Sequence, residues 1–369
     1  MKKRSSDRNK ARVLRPNADR KLTFILPKIS YEGVAKVGLM EASLLRTQFG
    51  YDVEIVSLIR ENQCFRELLD NLKVRYASKF EVVSRVLYMF LARFMELESN
   101  TIVSHNIPAT VLANRLAKKN KGSYIAYIHD AGFKRIPGSL PLFRHDKIKK
   151  ALDNSASIFT NSLKTLKELR KQYAIDGLPL YPGCVRTEQV NDDKDDFFLF
   201  VHFISPRNAF RFLADLLRKE SFNLVIAGGR RRGWEKVFES YRGFGNKVKF
   251  IFEPTETELA RLYQRARGLI FPEMENFGLS PLEAAANGCP SVVARGSGVL
   301  EILEEGNEIL ALNEGDTRGF TEAIQILSED AKYACQLGKR AWTKAGKHSW
   351  DAHVSKLADS LRISSTPPN

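Results

Sequence analysis

Cysteine is scarce and scattered. The four residues Cys64, Cys184, Cys289 and Cys335 lie far apart, so neither a disulfide framework nor a zinc site is suggested. Long apolar runs are missing too. The best candidate, Val86 to Leu91, is stopped at Arg93, well short of the roughly 20 residues that cross a bilayer. The start of the chain is charged from Lys2 and lacks the apolar stretch of a signal peptide; Lys2, where a myristoylation signal needs Gly, removes that route to a membrane. A cytoplasmic protein is the expectation. Acidic residues are in deficit: 43 Asp and Glu face 58 Lys and Arg, a formal net charge of +15. Such a chain tends to meet phosphates, nucleic acid or an acidic membrane face. The excess is concentrated, with eight basic and two acidic residues in 1–20 and ten basic and two acidic in 115–150. A solvated, solubilising surface is the plainer account of either cluster.

What is present is enough for large cores: 43% of the 369 residues are hydrophobic and 27% charged, a length that favours two or three domains. Residues 1–20 read as a disordered basic arm. Leu22 to Leu26 reads as a buried strand, Val34 to Arg46 as a helix stopped at Gly50, and Val53 to Leu58 as the next strand. That strand–helix–strand unit recurs at Thr101 to Ser104, 108–118 and Ser123 to Ile128, followed by strands Ser157 to Thr160 and Leu178 to Tyr181. Phe65 to Leu97 has apolar residues at helical intervals with interleaved Lys and Arg. Its apolar faces pack on the first domain's sheet or, as a basic amphipathic pair, face lipid. Gly183 to Asp196, with Asp192, Asp193, Asp195 and Asp196, reads as an interdomain linker whose loose acidic spacing argues against a metal site.

A second series follows: strand Phe197 to Ile204, helix 206–218, strands Asn223 to Ala227 and Val248 to Ile251, helix 256–266, strand 268–271, helix 279–287 and strand Ser291 to Ala294. The expected fold class is α/β, two Rossmann-like doubly wound domains facing across a cleft, with ligands beyond the carboxyl ends of the strands. The boundaries are an arm over 1–20, a first domain over 21–184, a linker over 185–196, a second domain over 197–348, and a C-terminal helix over 349–362 that could cross back to the first domain.

Chemistry concentrates in 269–301, LIFPEMENFGLSPLEAAANGCPSVVARGSGVLE. A strand runs into a loop with Glu273 and Glu275, then Asn276, Phe277, Gly278 and a helix start that Ser280 and Pro281 would cap. Glu283 is expected in the first helical turn, beside the positive helix end that also favours a bound phosphate. Such a loop could hold a phosphorylated sugar; an ordinary strand–helix turn with solvated acids is the alternative.

Glu275 and Glu283, with seven residues between them in ENFGLSPLEA, resemble the E-x7-E signature of retaining glycosyltransferases of the GT-B fold, family 4 type (glycosyl transferases group 1). The flanking Phe271-Pro272, Asn287-Gly288-Cys289-Pro290, Gly296-Ser297-Gly298 and ETELARLYQRARGLI fit the same pattern. The resemblance is specific in 223–305 and diffuse elsewhere. It implies that Glu283 binds the nucleotide's ribose, that Glu275 contacts the transferred sugar, and that the amides of Phe277, Gly278 and Leu279, with Asn276 beside them, meet diphosphate and sugar. Gly33 would admit the phosphates to the first domain. His129, in YIHDAG, would be the active-site histidine, with His105 in SHNIP a weaker candidate. No cofactor and no metal are implied beyond the nucleotide-sugar donor.

One departure stands out. Relatives usually carry a G-R-L-x-x-x-K-like stretch whose Arg and Lys neutralise the leaving diphosphate. This chain reads VHFISPRNAFR, with His202, Phe203 and Asn208 at the Gly, Arg and Lys positions. Arg207, Arg211 or the Gly228-Gly229-Arg230-Arg231-Arg232 loop is expected to supply the missing cation, because a developing diphosphate charge needs preorganised donors. The expected partners are a nucleotide-sugar and a glycan or lipid-linked acceptor, with an anionic inner-membrane surface suggested by the basic segments. No nucleic-acid motif is present. A non-catalytic nucleotide- or glycan-binding module is the alternative that Phe203 and Asn208 motivate.

Overall fold

A computed structural model describes residues 17–59, 65–77, 95–132 and 144–364. Strands β1 (Asn17–Lys28), β2 (Tyr51–Ile59), β3 (Lys73–Tyr76), β4 (Thr101–His105), β5 (Ser123–Ile128), β6 (Ser157–Thr160) and β7 (Leu178–Pro179) form one sheet in the order β3-β2-β1-β4-β5-β6-β7. Strands β8 (Phe198–Val201), β9 (Leu224–Gly228), β10 (Val248–Phe252), β11 (Gly268–Phe271), β12 (Ser291–Ala294) and β13 (Leu310–Leu312) form the second, β10-β9-β8-β11-β12-β13. Every pairing in both is parallel. Both sheets are doubly wound, and each reverses direction beside its first strand, at β1/β4 and at β8/β11. Such a switch point opens a crevice at the strands' carboxyl ends.

Helices cover both faces: α1 (Gly33–Phe49), α2 (Arg66–Leu69), α3 (Asn106–Asn120), α4 (His145–Asp153) and α5 (Leu163–Tyr173) in the first half of the chain, then α6 (Asn208–Lys219), α7 (Trp234–Ser240), α8 (Glu256–Arg265), α9 (Leu279–Ala286), α10 (Thr317–Glu329), α11 (Ala331–Ala345) and α12 (Trp350–Ser364). Covered strands need no polar face, and this is why LTFIL and FLFV read as unbroken apolar runs; Leu22, Phe24, Ile25, Leu26 and Phe198 to Val201 are all buried. Gly50, in the left-handed region, ends α1, and a reciprocal Thr255–Glu258 capping box starts α8.

The last helix belongs to the first core. Trp350, Val354, Leu357, Ala358 and Leu361 of α12 cluster with Leu22, Phe24, Leu39 and Leu45. The chain therefore passes between the halves twice, side by side: the Cys184 amide donates to the His348 carbonyl at 2.9 Å, and Cys184 bridges Ser349.

Two local expectations are corrected. The first strand starts at Asn17, inside the segment expected as an arm, because residues 17–28 pair with β2. Within Phe65 to Leu97, the described residues hold one short helix and the edge strand β3 rather than a long helix. Lys73 and Arg75 lie on that strand, facing Asp52 and Glu54 across it, so their charges serve a sheet edge. Residues 78–94 of the expected helix pair, residues 1–16 of the arm and 133–143 of the second basic cluster lie outside the described residues. The acidic run is not a cation site: Asp192 pairs with Lys339, Asp195 with Arg265 and Asp196 with Arg267, fixing the linker to the second domain. No helix among the described residues is long and apolar enough to cross a membrane.

Candidate functional site

The carboxyl ends of both sheets open onto one cleft of about 430 Å³. Its walls come from the turns that follow β1, β4, β5, β8, β9 and β11, so one side is built by each domain. The volume is ordinary for a small-molecule site.

On the second domain, β11 runs into the Glu273–Gly278 loop and then α9. Gly278, at φ +96°, occupies the N-cap position, so the helix starts at Leu279. Ser280 is not the cap; its hydroxyl donates to the Val201 carbonyl at 3.3 Å. The left-handed Gly278 turns the loop so that the open amides of the first helical turn face the cleft that Gly278, Leu279 and Ser280 line. Glu283 is the fifth helical residue rather than part of the first turn, because the helix starts at 279 and carries no acid in that turn. Its carboxylate instead sits over the cleft floor, accepting from Lys36 Nζ at 2.5 Å and from the Tyr263 hydroxyl at 3.1 Å. Lys36 also meets Glu256 at 2.5 Å. One ammonium thus serves two carboxylates. Burial, aided by the Glu256 charge, raises the Glu283 carboxyl above its ordinary value despite Lys36. Burial works against the charged Lys36, but the two carboxylates outweigh it and hold it protonated.

Glu275 stands at the other end of the loop. Burial favours its neutral form, yet His202, Arg207 and Lys164 more than offset this and keep it below its ordinary value. His202 Nε2 lies 3.2 Å from Glu275 Oε1, and Arg207 Nη1 donates to the His202 ring, 2.9 Å from Nδ1. Arg207 Nε also meets Glu273 at 3.1 Å. His202, Glu273 and Glu275 bring three potential metal-ligand atoms within 4.8 Å of one another. Arg207 bonds two of those three groups and already supplies positive charge there.

Phe203 packs between two guanidiniums, with Arg207 4.4 Å and Arg231 3.8 Å from its ring centre. The aromatic at the usual Arg position thus stacks two arginines beside the cleft. Arg207 lines the cleft. Arg211 does not; it is exposed and donates to Asn208 at 2.5 Å. Arg230 pairs with Glu253 at 2.7 Å, and Arg230, Arg231 and Arg232 line a separate depression with Trp234. Gly228, at φ +154°, lets the β9 turn approach so closely that a Cβ there would lie 1.8 Å from the His202 carbonyl.

The first domain contributes Gly33 at the start of α1, lining the cleft opposite Leu279, and His129 after β5. His129 is buried, its Nε2 3.0 Å from His105 Nδ1. Burial pushes its imidazole well below the ordinary histidine value. The Glu273–Gly278 loop is tied across to this domain: Asn276 Nδ2 donates to the His129 carbonyl at 3.3 Å, and Ser162 donates to the Asn276 carbonyl at 2.7 Å. Lys164 donates to the Glu275 carbonyl at 3.1 Å, while Glu301 accepts from the first amides of α5.

Gly33, His129, Arg207, Gly228, Glu275, Asn276, Phe277, Gly278, Leu279 and Glu283 therefore line one cleft, and Arg211 lies apart from it. Residue reading missed Lys36, Lys164 and Tyr263. Tyr263 has a legible signal, since a Tyr on the inner face of α8 is one strand away from α9. A lysine among the apolar positions of α1 is a weaker one.

Residues 185–344 match the model of the glycosyl transferases group 1 family. Among curated relatives, the D-inositol 3-phosphate glycosyltransferase of Corynebacterium efficiens is 27% identical over 166 residues, 42% of this chain and 39% of the relative. The O-antigen chain mannosyltransferase RfbU of Salmonella typhimurium is 25% identical over 191 residues, 49% of this chain and 54% of the relative. The chain thus spans well under two thirds of these relatives. Among solved structures, HepE of Anabaena in complex with UDP and glucose superposes with a TM-score of 0.74 at 15% identity, covering 93% of this chain and 99% of that one. Sucrose-phosphate synthase of Thermosynechococcus elongatus gives 0.74 at 15%, covering 93% and 98%. The fold is GT-B.

Proposed function

We propose that the protein is a retaining, metal-independent glycosyltransferase of the hexosyl type, moving a sugar from a nucleotide-sugar donor to a glycan or lipid-linked acceptor. The observation that carries this is the convergence of Glu275, the open amides at the start of α9 and Glu283 on one cleft, with Gly33 and His129 opposite. The family match over the domain that holds both glutamates supports it, as do the group 1 relatives and the UDP-glucose complex of HepE.

The donor's ribose hydroxyls would bond the Glu283 carboxylate, displacing Lys36. The diphosphate would take the amides at Gly278 and Leu279 and the Arg207 guanidinium, a cation fixed in place before charge develops. Glu275, kept ionised by His202 and Arg207, would hold hydroxyls of the transferred sugar. Acceptor attack would come from the same face as the departing diphosphate, which takes the proton; neither glutamate is then a glycosidase-type acid or nucleophile. Arg207 also answers the observation that motivated a non-catalytic module. The basic segments favour an anionic or lipid-linked acceptor at a membrane face, which sedimentation with anionic vesicles at low salt would detect.

The test is thermal stability against UDP-, GDP-, ADP- and dTDP-sugars and their free nucleotides, followed by transfer assays with and without a chelator. Saturation at 100 times the dissociation constant adds about 2.7 kcal/mol. One nucleotide is expected to stabilise the wild type and not Glu283→Ala. No stabilisation by any of them, or transfer lost to the chelator, overturns the corresponding part of the proposal.

A further inference from the structure

Behind His129 lies a line of buried ionisable groups that donor binding does not use. His105 Nε2 and Glu41 Oε2 are 3.1 Å apart, a close contact without the alignment of a hydrogen bond, and neither atom has a hydrogen-bond partner among the described residues. The other oxygen of Glu41 lies 2.7 Å from His353 Nε2, and His353 Nδ1 lies 2.8 Å from the Tyr181 carbonyl. Side chains of Glu41, His105 and His353 are at most 1% exposed. The line thus runs from the cleft through β4 and α1 to α12, the helix that returns from the second domain.

Proton positions follow from the acceptors. Tyr181 offers a carbonyl and Glu41 a carboxylate, so both His353 nitrogens carry protons and the ring is an imidazolium. Its charge balances Glu41. A second cation at His105 would leave one buried charge unmatched, at a cost of several kcal/mol. His105 is therefore neutral. Its single proton faces Glu41 from Nε2, and its bare Nδ1 accepts from His129 Nε2. His129 Nδ1 has no partner among the described residues.

We propose that Glu41, acting through His105 and balanced by His353, holds His129 as the neutral Nε2–H tautomer, leaving its Nδ1 lone pair for a sugar hydroxyl in the cleft. Glu41, His105 and His353 are positioning residues, in the way a buried carboxylate fixes a catalytic imidazole. Among the described residues, the other titratable group whose ring packs on the line is Tyr127 of β5, with its ring centre 4.3 Å from His129, 5.4 Å from His105 and 5.9 Å from His353. Its hydroxyl donates to the Leu180 carbonyl and stays protonated under burial and the Glu41 charge. Phe24 covers His105 from β1, and Asp130, after His129, is exposed. The remaining cleft charges pair with one another, Lys36 with Glu283 and Arg207 with Glu273.

The role in positioning a sugar rests on the glycosyltransferase proposal; the tautomer does not, and the two are separable. Long-range 1H–15N spectra of the full chain, labelled at histidine, read each ring between pH 6 and 8. His129 is expected with a proton on Nε2 only, and His353 with protons on both nitrogens. A proton on His129 Nδ1, or a charged His129 at pH 7, overturns the proposal whatever the activity. In transfer assays, Glu41→Gln is expected to lower kcat about tenfold or more and move its pH profile, with donor KM unchanged. Should Glu41→Gln not fold, the apolar pair Glu41→Leu/His353→Leu removes both charges together and is expected to give the same kcat loss. Unchanged kcat and pH profile in a folded variant also overturn it. Absence of any nucleotide response in the wild type would refute the donor site instead and leave the tautomer result standing.

Discussion

Lys36 reaches across the cleft from the first domain to Glu283 of the second, with a 2.5 Å contact, and holds Glu256 as well. The ammonium thus ties the two domains together across the cleft, at the carboxylate proposed above to bind the donor's ribose. Both side chains are nearly buried, at 11% and 13% exposure, so removing one partner leaves a poorly solvated charge. Lys36→Met is expected to lower stability by about 2 kcal/mol, below the roughly 3–5 kcal/mol of a fully enclosed pair. Combining it with Glu283→Gln should recover part of that loss in a double-mutant cycle. Additive losses would mean that the contact does not persist in solution.

Gly229 offers a test of domain approach. A Cβ there would lie 2.5 Å from the Tyr31 Cβ of the first domain, an atom too near the backbone to swing aside. Gly229→Ala is expected to leave folding intact but hold the cleft wider. Small-angle scattering should then show a larger radius of gyration, and donor KM should rise several-fold.

The two arginines proposed for the diphosphate separate cleanly. Arg207 lines the cleft and Arg211 does not. Arg207→Ala is expected to reduce transfer by about 10²–10³, the scale of one lost preorganised donor. Arg211→Ala should fall within about twofold of wild type. Equal effects would show that the cation comes from elsewhere, with Arg231 the next to examine.

Acid stability should carry the signature of Glu41. Burial opposes its charge, but the two histidines beside it, with His353 carrying the positive charge, prevail and hold it below its ordinary value of 4.5. A carboxyl depressed on folding stabilises the native state above its unfolded pKa and loses that contribution as pH falls through the folded value. The loss therefore begins near pH 4.5 and grows as pH falls. His129 adds to the limb at higher pH. Its folded pKa lies well below 6.5, so the unfolded chain takes up the proton first and stability declines as pH drops below about 6.5. Urea unfolding at stepped pH should show both limbs in the wild type, with Glu41→Gln flattening the lower one.

Both sheets were legible because their strands are covered on two faces and leave unbroken apolar runs between helical patterns. Glu275, Gly278 and Glu283 were legible because one loop and one helix hold them at a fixed spacing. The start of α9 was not, since Ser280-Pro281 imitates a cap while the left-handed Gly278 does the turning. The role of Lys36 was hidden because its partners come from α8 and α9, more than 200 residues away. Glu41 and His353 were hidden for the same reason. Each looks like a stray polar residue on an apolar helix face until the chain folds and brings together two positions 312 apart in sequence. Lys73 and Arg75 misled in the opposite sense, since apolar spacing in 65–77 suits a helix while pairing with β2 makes it an edge strand.

The paired crossings at Cys184 and Ser349 bear on how the molecule can be divided. A cut at either crossing alone does not yield two self-sufficient pieces. Residues up to 184 would leave Leu22, Phe24 and Leu39 without the cover of Trp350, Val354 and Leu357, and a fragment starting at 185 would carry those side chains with nothing to pack against. The first domain is discontinuous in sequence, and its sheet waits for residues 350–361. During synthesis, the cleft's first wall is sealed only after its second has been made.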